Sequence, residues 1–229
     1  MIAKHKAGLY MRLKKLLLRI MPRYAYFPVI FTPLLNLAVY YGCFLLTSGR
    51  TSLYDLSIPL DARVPFWPPA ISVYVLSYAF WVVNYVLIAR ESRAHCYRTL
   101  AADWIAKVLC VPFFLLLPAT IVRPDASGSG LWLWITRIIY ASDAPRNLFP
   151  SIHCLESWFA WRGLFGCKRV PRWYKAFSFV FALMVCASTV LVKQHVLVDI
   201  PAGILLVEIG LLATRRIHPR STTDLEVIS

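Results

Sequence analysis

The chain of 229 residues is 59% hydrophobic and only 16% charged. This composition excludes an ordinary soluble domain, and several apolar runs are long enough to span a bilayer. The net charge of +14 does not indicate a nucleic-acid partner, because the basic residues cluster between apolar runs. The composition therefore predicts one all-α, polytopic membrane domain.

Basic and polar segments flank the apolar part of the chain. Residues 1–24 mix seven Lys and Arg side chains with Leu and Ile, a pattern typical of a basic amphipathic helix on an anionic membrane face. A calmodulin-binding helix has a similar pattern, but the adjoining apolar run favours the membrane surface. We expect no signal-peptide cleavage site here. Residues 215–229 are predicted to form a polar cytoplasmic tail.

Residues 25–214 are predicted to form a six-helix transmembrane bundle. A helix needs about 20 apolar residues to cross a bilayer. The candidate spans are 25–47, 66–89, 104–122, 150–166, 173–192 and 196–214. The fourth span is the weakest, because it contains His153, Glu156 and Arg162. A shorter apolar stretch, 131–140, is expected to form an interfacial or re-entrant helix over the site.

The distribution of positive charge predicts the orientation. Most of the 25 Lys and Arg residues fall on one side of the six-span arrangement, with Lys107 counted in an inner loop. Cytoplasmic loops carry such an excess. We therefore predict a multi-pass protein of the cell membrane with both termini in the cytoplasm.

The six cysteines do not predict a metal site. They form no CxxC pair and have no metal-ligand spacing, and most lie in apolar segments, which is typical of small core residues. The sequence predicts no metal and no cofactor.

The stretch 147–154, Asn-Leu-Phe-Pro-Ser-Ile-His-Cys, precedes an apolar run. Pro150 suits the first turn of a helix, which would leave the following amides as free donors at a helix N-terminus. Such an end attracts anions, Ser151 adds a hydroxyl, and His153 adds a proton carrier near neutral pH. The pattern therefore predicts a phosphate site. The structural alternative is a capped helix start with an incidental histidine.

Further polar residues fall on the same predicted outer face. Arg123 ends the third span, Arg146 precedes the 147–154 stretch, and Lys193, His195 and Asp199 lie where the fifth span turns into the sixth. His195 and Asp199 share a helical face, so the carboxylate can orient and charge the imidazole. Taken singly, each of these features is commonly structural.

Together these residue types suit phosphoryl transfer, which needs positioning and charge stabilisation. His195 is the predicted nucleophile, with Asp199 as its partner. His153 is the predicted general acid for the leaving oxygen. Arg123 suits a pair of phosphoryl oxygens because its guanidinium is a planar fork.

Taken in order, Arg123-Pro124, then Pro150-Ser151-x-His153, then Ser188-x6-His195-x3-Asp199, resembles the type-2 phosphatidic acid phosphatase superfamily. This group of membrane lipid phosphatases shares its catalytic core with vanadium haloperoxidases. The resemblance covers residues from about 104 to 214. It implies a metal-independent phosphohydrolase in which His195 forms a phosphohistidine, while Arg123 and Ser151 hold the phosphate.

The sequence departs from the family pattern at two positions. The first motif usually begins with a Lys where Leu116 stands, and the third usually has an Arg where Thr189 stands. Two cations of the phosphate site are therefore missing. Lys193 and Arg146 are the predicted replacements. The run Lys193-Gln194-His195 is similar to a subgroup that includes inositol-phosphoceramide-type transferases.

The sequence therefore predicts an enzyme that removes phosphate from a lipid phosphate or lipid diphosphate at the outer face, as a phosphoric monoester or diphosphate hydrolase. The alternatives are a lipid phosphotransferase of the inositol-phosphoceramide-synthase type and a catalytically inactive membrane relative. The predicted partners are the lipid phosphate substrate and the membrane, with no nucleic acid. The oligomeric state stays open. Away from the site, Glu208 is expected to pair with Arg162, since a lone carboxylate in hydrocarbon is costly.

Overall fold

The computed structural model describes residues 21–217. The predicted surface segment 1–24 lies almost entirely outside the described residues, as does the predicted tail from residue 218 onward. The described chain is mostly helical, as predicted. Its helices are α1 (Tyr26–Thr47), α2 (Ile71–Glu91), α3 (Arg93–Leu116), α4 (Leu131–Ser142), α5 (Ile152–Arg162), α6 (Arg172–Leu191) and α7 (Asp199–Ile217).

Two short strands join the α1–α2 connection to the α3–α4 connection at one end of the bundle. β1 (Tyr54–Asp55) and β2 (Ala119–Thr120) pair in parallel. The helix α4 coincides with the predicted short helix at 131–140. At the other end, α7 continues to Ile217, so the first three residues of the predicted tail are helical.

Four helical segments are long and apolar enough to cross a membrane. They are Arg23–Thr47, Pro68–Glu91, Arg93–Leu116 and Arg172–Leu191. The helix α5 has only 11 residues, so it extends about 16 Å, roughly half the thickness of the hydrocarbon core. The helix α7 carries Asp199 and Glu208 together with two arginines in its last turn. The four spans agree with the prediction, whereas six spans are not established.

The third predicted span, 104–122, was placed too late in the chain. The helix α3 begins at Arg93, directly after Ser92, whose hydroxyl accepts a hydrogen bond from the His95 amide. No loop separates α2 from α3, because Ser92 serves as the N-cap immediately where α2 ends. The apolar run in the sequence starts later because the first turns of α3 carry polar side chains.

The prediction that Lys107 belongs to an inner loop is wrong. Its side chain is fully buried within α3, with Nζ at 2.6 Å from Asp103 Oδ2 and 2.7 Å from Glu156 Oε1. The Tyr85 hydroxyl donates to the second oxygen of Glu156 at 2.5 Å. A buried lysine persists in such a place only when carboxylates neutralise it. Glu156 comes from a different helix, so sequence spacing did not reveal the pairing.

The helix α7 lies against α3 and α5 at unusually short backbone distances. A Cβ atom added to Gly203 would lie 2.7 Å from the carbonyl oxygen of Ser151, and one added to Gly210 would lie 2.2 Å from that of Ala102. The Ser151 amide donates to the Asp199 carbonyl at 3.4 Å. This close approach places the first turn of α5 beside the first turn of α7.

The last residue of α5 is joined to the middle of α7 by an ion pair. Arg162 Nε and Nη2 donate to the two oxygens of Glu208 at 2.6 and 2.8 Å. The Trp158 indole donates to the same carboxylate at 2.9 Å. The predicted pairing of Glu208 with Arg162 is therefore confirmed, and both ends of α5 are held against α7.

Candidate active site

A tight turn after α6 presents His195 to the bundle. The amides of Gln194 and His195 both donate to the Thr189 carbonyl, at 2.9 and 3.1 Å. Lys193, which directly precedes Gln194, has a positive φ of 52°. A positive φ is uncommon for a residue other than glycine. The chain therefore reverses sharply before α7 begins at Asp199.

His195 and Asp199 form the hydrogen-bonded pair that their spacing predicts. His195 Nδ1 lies 2.9 Å from Asp199 Oδ2. Burial by itself lowers the pKa of His195, but the hydrogen bond and the charge of Asp199 outweigh it, so the pKa is raised above its ordinary value. Because Nδ1 is engaged, Nε2 is the ring atom left for chemistry.

His153 lies in the first turn of α5 among aromatic rings. It stacks on Tyr74 with ring centroids 4.0 Å apart, and the Tyr74 hydroxyl lies 3.3 Å from His153 Nδ1. Its Nε2 is buried and has no hydrogen-bond partner within residues 21–217. The ring centroids of His153 and His195 are 6.5 Å apart, and both side chains line a cavity of about 230 Å³.

Arg123 lies in the connection that follows β2 and contacts Gln194, the residue before His195. Its guanidinium donates to the side-chain oxygen of Gln194, and to the carbonyls of Tyr140 at 3.2 Å and Asp143 at 2.6 Å. It also stacks on the Tyr140 ring at 4.6 Å. Burial lowers the pKa of Arg123, and an arginine side chain stays charged in proteins. Gln194 thus connects Arg123 to the turn that carries His195.

Ser151 is the N-cap of α5, and its hydroxyl accepts from the Cys154 amide at 3.3 Å. The prediction that Pro150 lies in the first helical turn is wrong, because α5 begins at Ile152. The amide of Ser151 is not free either, since it donates to the Asp199 carbonyl. Serine is a strong N-cap, and this preference sets the helix start after Pro150. In this structure Ser151 positions His153.

A family model described as the PAP2 superfamily matches residues 92–223, more than half of the chain. The chain belongs to the PAP2 superfamily. Members of this superfamily generally hydrolyse phosphate esters. The match includes α3 to α7 and therefore all the candidate site residues. No curated protein and no solved structure matches the chain.

Two cations that were predicted to replace missing PAP2 residues point elsewhere. Lys193 Nζ donates to the carbonyls of Asp61 at 3.0 Å and Val64 at 2.6 Å. Arg146 donates to the carbonyls of Thr47 and Arg50. Neither side chain is among those that line the cavity of the two histidines. The sequence showed that these cations share one end of the bundle, but not which carbonyls there need donors.

The two positions where the PAP2 pattern is broken contribute no charge. The Leu116 side chain is exposed at the end of α3, whereas Thr189 is buried and its hydroxyl lies 3.8 Å from Cys154 Sγ. Arg123 does not line the cavity either, but its guanidinium contacts Gln194, which precedes His195, and the backbone of Asp143, which lines the cavity. Within the described residues, no group of three or more His, Cys, Asp or Glu side chains is arranged to hold a metal ion.

Sequence reasoning missed several residues that line the cavity. The aromatic wall consists of side chains from α1 and α2, namely Tyr40, Tyr41, Tyr74, Tyr78 and Trp81. Asp143 and Asn147 complete the lining near the histidines. A signal for part of this wall was present, since the aromatic positions 74, 78 and 81 recur at helical spacing and share one face of α2.

Proposed function

We propose that this PAP2 protein is a membrane phosphohydrolase that cleaves a phosphate ester on a lipid through a phosphohistidine formed on His195. The observation that carries the proposal is the facing pair of histidines in one cavity, with His195 bonded to Asp199. The separation of the two rings suits a phosphoryl group between them, with one ring on the attacking side and the other on the leaving side.

In the first step, the lone pair of His195 Nε2 attacks phosphorus. The bond between phosphorus and the lipid oxygen breaks, and the leaving oxygen takes a proton from His153 Nε2. In the imidazolium form that acts as the acid, His153 Nδ1 donates to the Tyr74 hydroxyl oxygen and the second proton lies on Nε2, facing the cavity. Asp199 stabilises the positive charge that develops on His195.

In the second step, water attacks the phosphohistidine and gives a proton to His153. The bond between phosphorus and His195 breaks, which releases the phosphate and restores both rings. Arg123 stabilises the charge on the phosphoryl oxygens in both steps. The predicted orientation places this chemistry at the outer membrane face.

A phosphotransferase is the second candidate, and the small number of cations at the site favours it. Lys193 and Arg146 are committed to backbone carbonyls, so a free phosphate dianion would meet few fixed charges. In that reaction a lipid alcohol replaces water in the second step. The first step is the same in both candidates.

The test is product release from a lipid panel by the purified protein in detergent. The panel contains phosphatidic acid, a polyprenyl diphosphate and phosphatidylglycerol phosphate, each with and without a diacylglycerol acceptor. His195→Gln should abolish cleavage. His95→Gln should retain it, because His95 does not line the cavity of the two histidines and bonds to the Gly163 carbonyl. Products that form only with an acceptor indicate transfer. Equal activity of His195→Gln and the unaltered protein would overturn the proposal.

A further inference from the structure

The cavity of the two histidines has walls of a distinctive composition. Its aromatic wall of four tyrosines and one tryptophan faces a carboxylate, Asp143, at the end of α4. Aromatic faces carry negative electrostatic potential and attract cations, and alkylammonium groups are the ligands that such groups of rings bind. A carboxylate beside the rings strengthens that attraction.

Asp143 is not consumed by an ion pair. It accepts a hydrogen bond from the Tyr40 hydroxyl, but no basic side chain within residues 21–217 forms a salt bridge with it. Its backbone carbonyl accepts from Arg123 at 2.6 Å. The Arg123 cation therefore lies against the backbone of Asp143, whose residue lines the cavity of the two histidines.

This arrangement of charge selects among phosphate esters. A phosphate monoester carries close to two negative charges at neutral pH, and at this site it would meet Arg123 together with the repulsion of Asp143. A phosphodiester with an alkylammonium headgroup carries one charge of each sign. Its phosphate can pair with Arg123 while its ammonium meets Asp143 and the aromatic wall, so each charge has an opposite partner.

We propose that the preferred substrates are zwitterionic phosphodiester lipids, whose alkylammonium headgroup binds between Asp143 and the aromatic wall. This proposal rests on the phosphohistidine chemistry proposed above and names its substrate class. A cavity of about 230 Å³ is large enough for a phosphorylated amino alcohol, while the acyl chains stay outside it.

Asn147 is an independent indication that a polar ligand belongs in this cavity. It lines the cavity, its side chain is almost completely buried, and neither polar atom of its amide has a hydrogen-bond partner in the part of the chain that the structure describes. Buried polar groups are nearly always paired. A phosphodiester oxygen is an acceptor that the Asn147 amide can satisfy.

Packing around His153 is the competing explanation for the aromatic rings. It accounts for Tyr74, Tyr78 and Trp81, whose rings all lie within 5.6 Å of the histidine ring. It does not account for Asp143, which binds the hydroxyl of Tyr40 on a different helix. The two explanations differ in what happens when the carboxylate is removed.

The experiment compares kcat/KM for four lipids with the same acyl chains in mixed micelles. Phosphatidylcholine and phosphatidylethanolamine carry an ammonium, phosphatidylglycerol is a diester without one, and phosphatidic acid is a monoester. Cleavage of either ester bond is counted. We expect the ammonium lipids to exceed the other two by roughly tenfold or more, as one cation–π contact with a paired charge suggests.

Asp143→Asn should remove most of this preference, because kcat/KM should fall by a larger factor for the ammonium lipids than for phosphatidylglycerol. The matched control, Asp125→Asn, changes an exposed carboxylate that bonds only to Ser127 and should keep the preference. If phosphatidic acid is the best substrate, or if Asp143→Asn keeps the preference, the headgroup proposal is wrong. Loss of that cleavage in His195→Gln would still support the phosphohistidine chemistry.

A binding measurement decides the case in which no lipid is cleaved. The thermal stability of His195→Gln is measured with phosphocholine, phosphoethanolamine and glycerol phosphate. Stronger stabilisation by the two ammonium compounds, lost in the double variant with Asp143→Asn, supports the headgroup site. Equal or weaker stabilisation than by glycerol phosphate overturns it.

Discussion

The centroids of the His153 and His195 imidazole rings lie 6.5 Å apart, although His153 lies in the first turn of α5 and His195 precedes α7. Two hydrogen bonds set their roles, one from His195 Nδ1 to Asp199 and one between His153 Nδ1 and Tyr74. Each ring thus has its Nδ1 engaged and its Nε2 available. The pair therefore has the two groups that the proposed phosphoryl transfer requires, which is the basis of the first two predictions.

Removal of the Asp199 charge should slow the reaction and shift its pH dependence. His195 attacks only when deprotonated, so the raised pKa of His195 places the acid limb of a bell-shaped profile above the ordinary value of about 6.5. In Asp199→Asn, burial still lowers this pKa while the opposing charge is gone. The acid limb should move to lower pH by roughly one to three units, and kcat should fall by roughly two to four orders of magnitude. An unchanged limb would contradict the role of Asp199.

Tyr74→Phe should reduce kcat with little change in KM. The ring that stacks on His153 is kept, whereas the hydroxyl oxygen that accepts from Nδ1 of the protonated His153 is lost. We expect a fall of about tenfold or more in kcat, within the range of general acid catalysis. Tyr97→Phe is the control, because the Tyr97 hydroxyl bonds to the Tyr24 carbonyl away from the site. A rise in KM alone would assign Tyr74 to substrate binding instead.

Lys107→Met should destabilise the protein strongly, because it leaves Asp103 and Glu156 without the cation between them. Breaking one side of a buried ion pair typically costs about 3–5 kcal/mol. Thermal unfolding in detergent measures this loss. The exposed Lys168 provides the control, since Lys168→Met should change stability little. Adding Asp103→Asn and Glu156→Gln to Lys107→Met should recover part of the loss. No recovery would show that the charges are not the cause.

Gly203→Ala should lower both stability and activity. The added Cβ would lie 2.7 Å from the Ser151 carbonyl oxygen, so the first turns of α5 and α7 must separate. Such overpacking costs about 1–3 kcal/mol, and it moves His153 away from His195. Gly42→Ala is the matched control in α1, where a Cβ meets no atom within 4 Å. Full activity of Gly203→Ala would show that the contact does not set the distance between the histidines.

The sequence by itself determined the features that depend on local spacing. The length and apolarity of the runs predicted six membrane spans, because about 20 apolar residues suffice for one, and four of them overlap with helices able to cross a membrane. The spacing of four between His195 and Asp199 predicted their hydrogen bond, since residues one turn apart are neighbours. The order of the motifs around Arg123, His153 and His195 identified the superfamily.

Only the tertiary structure decided which distant groups meet. Lys107 was assigned to a loop, but it is buried between Asp103, one helical turn away, and Glu156, which only the packing of another helix brings to it. Lys193 and Arg146 were expected at the phosphate, but loop carbonyls bind them, and no sequence pattern encodes which carbonyls lack donors. The sequence did not predict that Asp143 lines the cavity, because that position also depends on contacts between distant segments. Contacts between helices depend on how the helices pack, whereas periodicity records only which residues share a face.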